Sequence, residues 1–407
     1  MSCRVVITGL GLLTPLGASP GAFWEQLLNG VSGIGPLTRF PSERFACRRA
    51  AQIDDDALPA ATGPYAHELK RMDRFVRYAV AAAGGALEQS GIAGHDGGGV
   101  FMGVGMGGLP NMEAGVVRQD SRGPRKITPY LIPSLIPNMA ASMTALTYGL
   151  HGPQYTVAGA CASGLQAIGV AVAHIRAGML SWAVAGGTEG VVTPIAFSGF
   201  EALRVLSTAT NGPPSPRPFD AGAEGMIVGE GAAAFVLEKR EHALARGATI
   251  LGELTGFATT TGGEQIALQS VAGIVSSMAG ALRDARMDPH DIDCLYSHAS
   301  GVPRGDACEL EAVRTVFGGN GHAPTLTSIK GHVGHTFGAS GPLNLAAAIA
   351  ALQHQTVSPV LNLRTPRTEC DGFDVASEAR PRALRNVLIN AVGFGGINSS
   401  LIVSRAS

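Results

Sequence analysis

Short runs of consecutive apolar residues alternate along this chain with long alanine-rich stretches of helical periodicity. In the first half the runs RVVITG (4–9), GVFMGVG (99–105), QYTVAG (154–159) and WAVAGG (182–187) bracket the periodic stretches FVRYAVAAAGGALEQSG (75–91) and LQAIGVAVAHIRAG (165–178). Apolar runs without polar alternation are strands buried on both faces, and the periodic stretches between them are long enough to be the helices that cover them. The second half repeats this grammar. It holds ILGELTGFA (250–258), the helix SVAGIVSSMAGALRDA (270–285), the strand CLYSHAS (294–300), the helices ACELEAVRTVFG (307–318) and GPLNLAAAIAALQ (341–353), and a closing strand pair from VLINAVG to SSLIVS (387–404). The pattern predicts an α/β fold on a mixed, largely buried sheet. It also predicts two pseudo-equivalent halves, 1–246 and 247–407, meeting within EKREHALARG (238–247) without a low-complexity linker.

A length of 407 residues suits two such units. With 45% hydrophobic residues, 15% charged residues and a net charge of -1, the chain is neither a disordered tail nor an electrostatic binder of nucleic acid or anionic lipid. The six cysteines (Cys3, Cys47, Cys161, Cys294, Cys308, Cys370) stand apart, with no CxxC pair and no cysteine–histidine cluster of metal-ligand spacing. Neither a disulfide framework nor a metal site is therefore expected. The start MSCRVVITGLGLLTPLG lacks the marks of a secretory signal, and no apolar run reaches the roughly 18 residues of a membrane helix, so a soluble cytoplasmic protein is expected. Two glycine clusters invite a phosphate-loop reading without sustaining it. In GLGLLTPLG (9–17) the third glycine is misplaced and Pro15 stands where the helix should begin, and GVGMGG (103–108) reads as tight strand-to-loop packing.

Candidate chemistry gathers at strand ends. Cys161 follows QYTVAG and precedes a helix, at an elbow flanked by Gly159, Ala160, Ala162 and Gly164. A thiol is a nucleophile as its thiolate, which unpaired backbone N–H groups and the positive end of a helix dipole stabilise, and small neighbours leave room for a substrate carbonyl. Composition alone favours the plainer reading of a small buried hydrophobe. His298 ends CLYSH ahead of a glycine- and proline-bearing turn, and His335 lies in the small-residue loop SIKGHVGHTFGASG (328–341) that feeds another helix. One histidine so placed is commonly structural. Two of them, with a cysteine at a third strand end, point to a converging site.

These stretches resemble the β-ketoacyl synthases, condensing enzymes of the thiolase superfamily, over essentially the whole chain. VAGACASG (157–164) is similar to their nucleophile motif, HASGVPRGD (298–306) to H-G-T-G-T-x-x-x-D, SIKGHVGHTFGASG to K-x-x-x-G-H-x-x-G-A-x-G, and VGFGGINSS (392–400) to the G-F-G-G-x-N loop. The resemblance implies a thiolase-like fold of two pseudo-symmetric α/β halves in five layers, α-β-α-β-α. It implies that Cys161 takes an acyl group from an acyl carrier protein thioester, and that malonyl carrier then loses CO2 and attacks the acyl-enzyme. His298 and His335 would donate to the enolate oxygen, such donors being worth about 2.7–4 kcal/mol each. The backbone N–H groups of Cys161 and Phe394 would form the oxyanion hole, with Phe394 also a gate. Lys330 matches the motif lysine and Glu309 its ion-pair partner, while Met106 and Phe200 fall where the family lines its acyl tunnel. No bound cofactor is implied, because phosphopantetheine arrives on the carrier protein. The other implied partner is a second subunit, as a homodimer or as a heterodimer with a related ketosynthase or chain-length-factor chain.

The chain also departs from the pattern. Ser300 and Val302 replace motif threonines that contact the pantetheine arm; serine keeps a hydroxyl and valine does not. The gating loop, D-A-Y-H-M-T in common members, is here TTGGEQIALQ (260–269), and SGIGPLTRFPSERF (32–45) resembles the type II polyketide branch, chain-length factors included. Those factors commonly carry glutamine at the nucleophile position. Retention of Cys161 with both histidines favours an active condensing subunit of polyketide or fatty-acid synthesis over a chain-length-factor-like partner or a non-elongating acyltransferase or cyclase.

Overall fold

The computed structural model describes residues 3–59, 64–94, 97–208, 215–262, 266–318 and 323–406. Among these, ten strands join in one sheet whose two five-stranded halves share a single plan. The first half contains β1 (Val5–Leu13), β2 (Gly99–Val104), β3 (Gln154–Val157), β4 (Trp182–Glu189) and β5 (Gly231–Lys239), in the spatial order β1-β5-β4-β2-β3. The second contains β6 (Gly252–Thr261), β7 (Cys294–Tyr296), β8 (Thr325–Thr327), β9 (Asn386–Gly393) and β10 (Ile397–Ser404), in the matching order β6-β10-β9-β7-β8. In each half the first two pairings are antiparallel and the last two parallel. The halves meet where Val5–Ile7 of β1 pairs antiparallel with Gly252–Leu254 of β6.

Helices cover and separate the halves. Helix α1 (Arg74–Ser90) packs outside β1, β5 and β4, whereas α2 (Ser163–Arg176) touches β2 and β4 on one side and β10 on the other. On the far face, α3 (Val271–Ala285) packs on β6 and β10 and carries α4 (Pro303–Phe317) against it. Helix α5 (Ser340–His354) lies beside α2 between β9 and β5, and twelve of its fifteen residues are buried. A helix apolar on every side belongs in the middle of a structure. The result is five layers, with the α2/α5 pair at the centre of a core drawing Phe101 and Phe235 from one half and Tyr296 and Val387 from the other. No helix of the described residues is long and apolar enough to cross a membrane.

The glycines of the first strand have a packing use. Strand β1 runs through Gly9 and Gly11 to Leu13 rather than ending before them. A Cβ on Gly9 would lie 2.0 Å from the Ala86 carbonyl oxygen, and one on Gly11 2.0 Å from that of Ala82, so only glycine lets α1 sit this close.

One connection is repeated in the two halves. After β3 the chain makes a 3-10 turn, Ala160–Ala162, and enters α2; after β8 it passes the short helix Lys330–Val333 and a second 3-10 turn, Phe337–Ala339, into α5. The first residue of each turn is left-handed, Ala160 at φ +48° and Phe337 at φ +43°. That region is costly for a residue with a Cβ and is held only where surrounding packing imposes it. The packing here is a glycine seam. A Cβ on Gly164 would lie 2.4 Å, and one on Gly187 2.3 Å, from the Gly338 carbonyl oxygen, so the two turns meet backbone to backbone.

Candidate active site

Cys161 stands at the apex of the first turn, partly exposed, between Ala160 and the buried Ala162. The turn is held from beneath by Ser163, whose hydroxyl accepts the Gly159 N–H at 2.9 Å and donates to the Ala160 carbonyl at 2.5 Å. His335 reaches the sulfur from the second half, with Nε2 3.1 Å from Cys161 Sγ. Its other ring nitrogen, Nδ1, lies 3.0 Å from the Ser340 hydroxyl, and its backbone N–H donates to Ile227 O at 2.7 Å. The His298 ring stands edge-on to the His335 ring, with centroids 5.2 Å apart at 86°. All three open on one cavity of about 400 Å³.

The remaining residues singled out from the sequence divide into two groups. Met106, Phe200, Phe394, Ser300 and Val302 line that cavity. The wall is mostly apolar, and Phe200 stacks at 5.0 Å on Phe337, which in turn packs at 4.5 Å against His335. Gly393, next to Phe394, lies so close to the first turn that a Cβ there would be 3.2 Å from the Cys161 backbone nitrogen. Lys330 and Glu309 instead lie buried behind the cavity.

The expected ion pair between those two is not made. Glu309 accepts the backbone N–H groups of His298 at 2.9 Å and Ala299 at 2.8 Å, and the Asn390 side-chain amide at 3.1 Å. Its carboxylate thus fixes the His298 loop directly, while Lys330 Nζ has no hydrogen-bond partner among the described residues. A buried carboxylate saturated by three N–H donors needs no cation in contact. Asp306 secures the next residues of the loop in the same way, accepting from Ser300 N at 2.9 Å and Phe219 N at 3.0 Å.

Electrostatics corrects a second expectation. Burial pushes the Cys161 thiol up to about 12, against the pull of the Lys330 charge, so the resting group is a thiol and not a thiolate. Burial also brings Lys330 down to about 8 and, helped by the Lys330 charge, holds His298 and His335 well below the ordinary imidazole range. Both imidazoles are therefore neutral near pH 7, each with one N–H to give and one lone pair to receive. With Nδ1–H directed at Ser340, His335 Nε2 can receive the thiol proton.

The loop TTGGEQIALQ is described except for residues 263–265. The Gly395 N–H donates to Ile266 O at 2.8 Å, tying this loop to the one carrying Phe394, and Gln269 lines the cavity beside Gly305. Sequence reasoning missed Ser340 and Glu189. The latter ends β4 in AGGTEG, and the signal available was an acidic residue closing an apolar strand.

A cysteine elbow faced by two imidazoles, set between two equivalent α/β halves, defines a condensing-enzyme architecture of the thiolase type. The chain belongs to the beta-ketoacyl synthase family, whose N-terminal domain matches residues 2–243 and whose C-terminal domain matches residues 251–364. It is 37% identical to 3-oxoacyl-[acyl-carrier-protein] synthase 2 of Coxiella burnetii, over 99% of this chain and 98% of the relative, and 35% identical to that of Synechocystis sp., over 98% and 97%. Among solved structures, a beta-ketoacyl synthase from Burkholderia phymatum aligns over 100% of both chains with a TM-score of 0.92 at 34% identity. A chain of the ishigamide ketosynthase/chain length factor does so with a TM-score of 0.92 at 28% identity.

Proposed function

We propose that this protein is a β-ketoacyl-[acyl carrier protein] synthase that elongates an acyl group held on Cys161 by decarboxylative condensation with malonyl carrier. The observation that carries the reading is the sulfur 3.1 Å from His335 Nε2 with a second neutral imidazole on the same cavity. Cys161 Sγ attacks the carrier thioester, its proton leaving by way of His335 to the departing pantetheine thiol. Loss of CO2 from malonyl carrier leaves an enolate whose oxygen accepts N–H from His298 and from His335 in its other tautomer, with the proton on Nε2 and Nδ1 accepting the Ser340 hydroxyl. The enolate carbon bonds to the acyl carbonyl carbon, the C–S bond breaks, and the thiolate released takes a proton from water. The N–H groups of Cys161 and Phe394 receive the oxyanion of both tetrahedral intermediates. Neutral, desolvated imidazoles suit the donor role, since they add no competing positive charge to the resting site. Met106 and Phe200 bound the acyl chain. Ser300 offers the pantetheine arm a hydroxyl that Val302 cannot.

The carrier protein, bearing phosphopantetheine, is the partner this chemistry requires. A second subunit, the same chain or a related one, pairs along β3. That strand is an outer edge of the sheet, with Gln154 and Tyr155 exposed, and the helix Leu109–Arg122 adds exposed Met112, Val116 and Val117. The two halves divide at 246/247.

CO2 release from labelled malonyl carrier, measured with a primed carrier present, tests the proposal. Release matched by β-ketoacyl carrier is expected. Acylation of Cys161 without any release would leave an acyltransferase or cyclase. Full product formation by Cys161→Ala alongside an active partner would leave a chain-length-factor-like subunit.

A further inference from the structure

Glu189 ends β4 with no exposed surface, and among the described residues backbone N–H groups, not a cation, hold its carboxylate. They come from two segments far apart in the chain. Gly105 donates at 2.9 Å, Met106 at 3.2 Å and Gly107 at 3.2 Å from the loop after β2, while Gly338 donates at 3.2 Å from the apex of the second turn. The first segment carries the Met106 side of the cavity wall. The second sets Phe337, whose ring packs on His335 at 4.5 Å and on Phe200 at 5.0 Å. The fit leaves no slack, since a Cβ on Gly105 would lie 2.3 Å from Glu189 Oε2.

We propose that Glu189 is a positioning residue for the condensation, its carboxylate tying the Met106 wall of the cavity to the turn that orients Phe337 and His335. The proposal rests on Cys161 being the acylated nucleophile. Oε2 accepts from both segments, from Gly105 and from Gly338, while Oε1 accepts from Gly107, so only a carboxylate meets all of these donors; the amide of glutamine would turn its NH2 towards at least the Gly107 N–H and leave it unsatisfied. The Glu189 charge also acts on Cys161, where it opposes the thiolate that Lys330 favours; His298 and His335 are the other titratable groups at the sulfur.

Glu189→Gln and Glu189→Asp, compared with the native enzyme, separate this role from simple core packing. The readouts are turnover of acyl and malonyl carriers and the pH profile of Cys161 alkylation by iodoacetamide, followed on the cysteine-bearing peptide. Glu189→Gln is expected to lower kcat by about 10²-fold, the cost of an ångström-scale misplacement, with KM for the carriers little changed. Burial pushes the Glu189 carboxyl up to about 7, so the variant is also expected to speed alkylation above about pH 7, where the native residue is ionised and a negative charge beside the sulfur is lost, and to match the native enzyme well below it. Glu189→Asp keeps the charge and the native alkylation profile, but it is a methylene too short to span both segments and its kcat falls as well. Native kcat in either variant overturns the proposal. So does a fall in kcat for Glu189→Gln with an unmoved alkylation profile, the mark of a defect in packing alone. Should the glutamine variant not fold, the aspartate variant decides by the same criterion of kcat. If the native enzyme takes no acyl group on Cys161, the nucleophile reading has failed instead, a result seen before either variant is made.

Discussion

The two strand–turn–helix connections use one backbone for different ends. Ala160-Cys161-Ala162-Ser163 and Phe337-Gly338-Ala339-Ser340 share a left-handed first residue, a 3-10 turn and a serine that opens the following helix. Ser163 turns its hydroxyl to its own turn and, at 3.1 Å, to the Val104 carbonyl, whereas Ser340 faces His335 Nδ1 at 3.0 Å. The apex residue differs most. The first half presents a sulfur, and the second presents Gly338, whose missing side chain lets the glycine seam close. The comparison teaches that a repeated turn can be divided in labour: one copy holds the nucleophile, and the other withdraws so that its neighbouring histidine can reach it.

Four experiments test that contrast. Cys161→Ala should abolish acylation and condensation, and adding Gly338→Cys to it should restore neither, because the new side chain would begin 2.8 Å from the Gly105 nitrogen; product analysis with both variants checks this. His335→Ala should lower kcat by about 10²–10³-fold, measured in single-turnover condensation, as removal of one preorganised donor does. Lys330→Met should slow Cys161 alkylation about tenfold at neutral pH, since the nearby cation pulls the thiol pKa down. Lys330 itself titrates at about 8 and is neutral above that, so the gap between variant and native should close as pH rises past about 9. Smallest, and most telling for the two serines, Ser340→Ala should lower kcat about fivefold with KM unchanged, the value of one hydrogen bond orienting a ring. Ser163→Ala should instead show as a fall in Tm, costing about 1–3 kcal/mol by orphaning the buried Gly159 N–H.

Much of this was legible in the chain because burial on both faces writes itself as unbroken apolar runs. The strands after Gly99, Gln154 and Trp182 fall where those runs lie, and the elbow of Cys161 follows from a strand meeting a helix through small residues. β1 outruns its predicted end because G-x-G suggests a turn, whereas these glycines admit a helix backbone. The Lys330–Glu309 pair was implied by the resemblance to the β-ketoacyl synthases, and backbone N–H donors, which no side-chain pattern reveals, took the carboxylate instead. Glu189 was hidden for the same reason, its donors lying 84 and 149 residues away along the chain. The repeat of the halves shows in the strand and helix pattern, but that of the turn is spelled only in the shared ASG of ACASG and FGASG, too brief to stand out before the two turns are laid over each other.

The proposed condensation requires the sulfur of Cys161 to be the atom that carries the growing chain. Intact and peptide mass spectrometry of the native protein, after incubation with a short acyl group on its carrier, measures this directly. The expected result is one added acyl mass on the Cys161 peptide, absent in Cys161→Ala. An unchanged mass, or an adduct on Cys308, the other thiol lining the cavity, would contradict it.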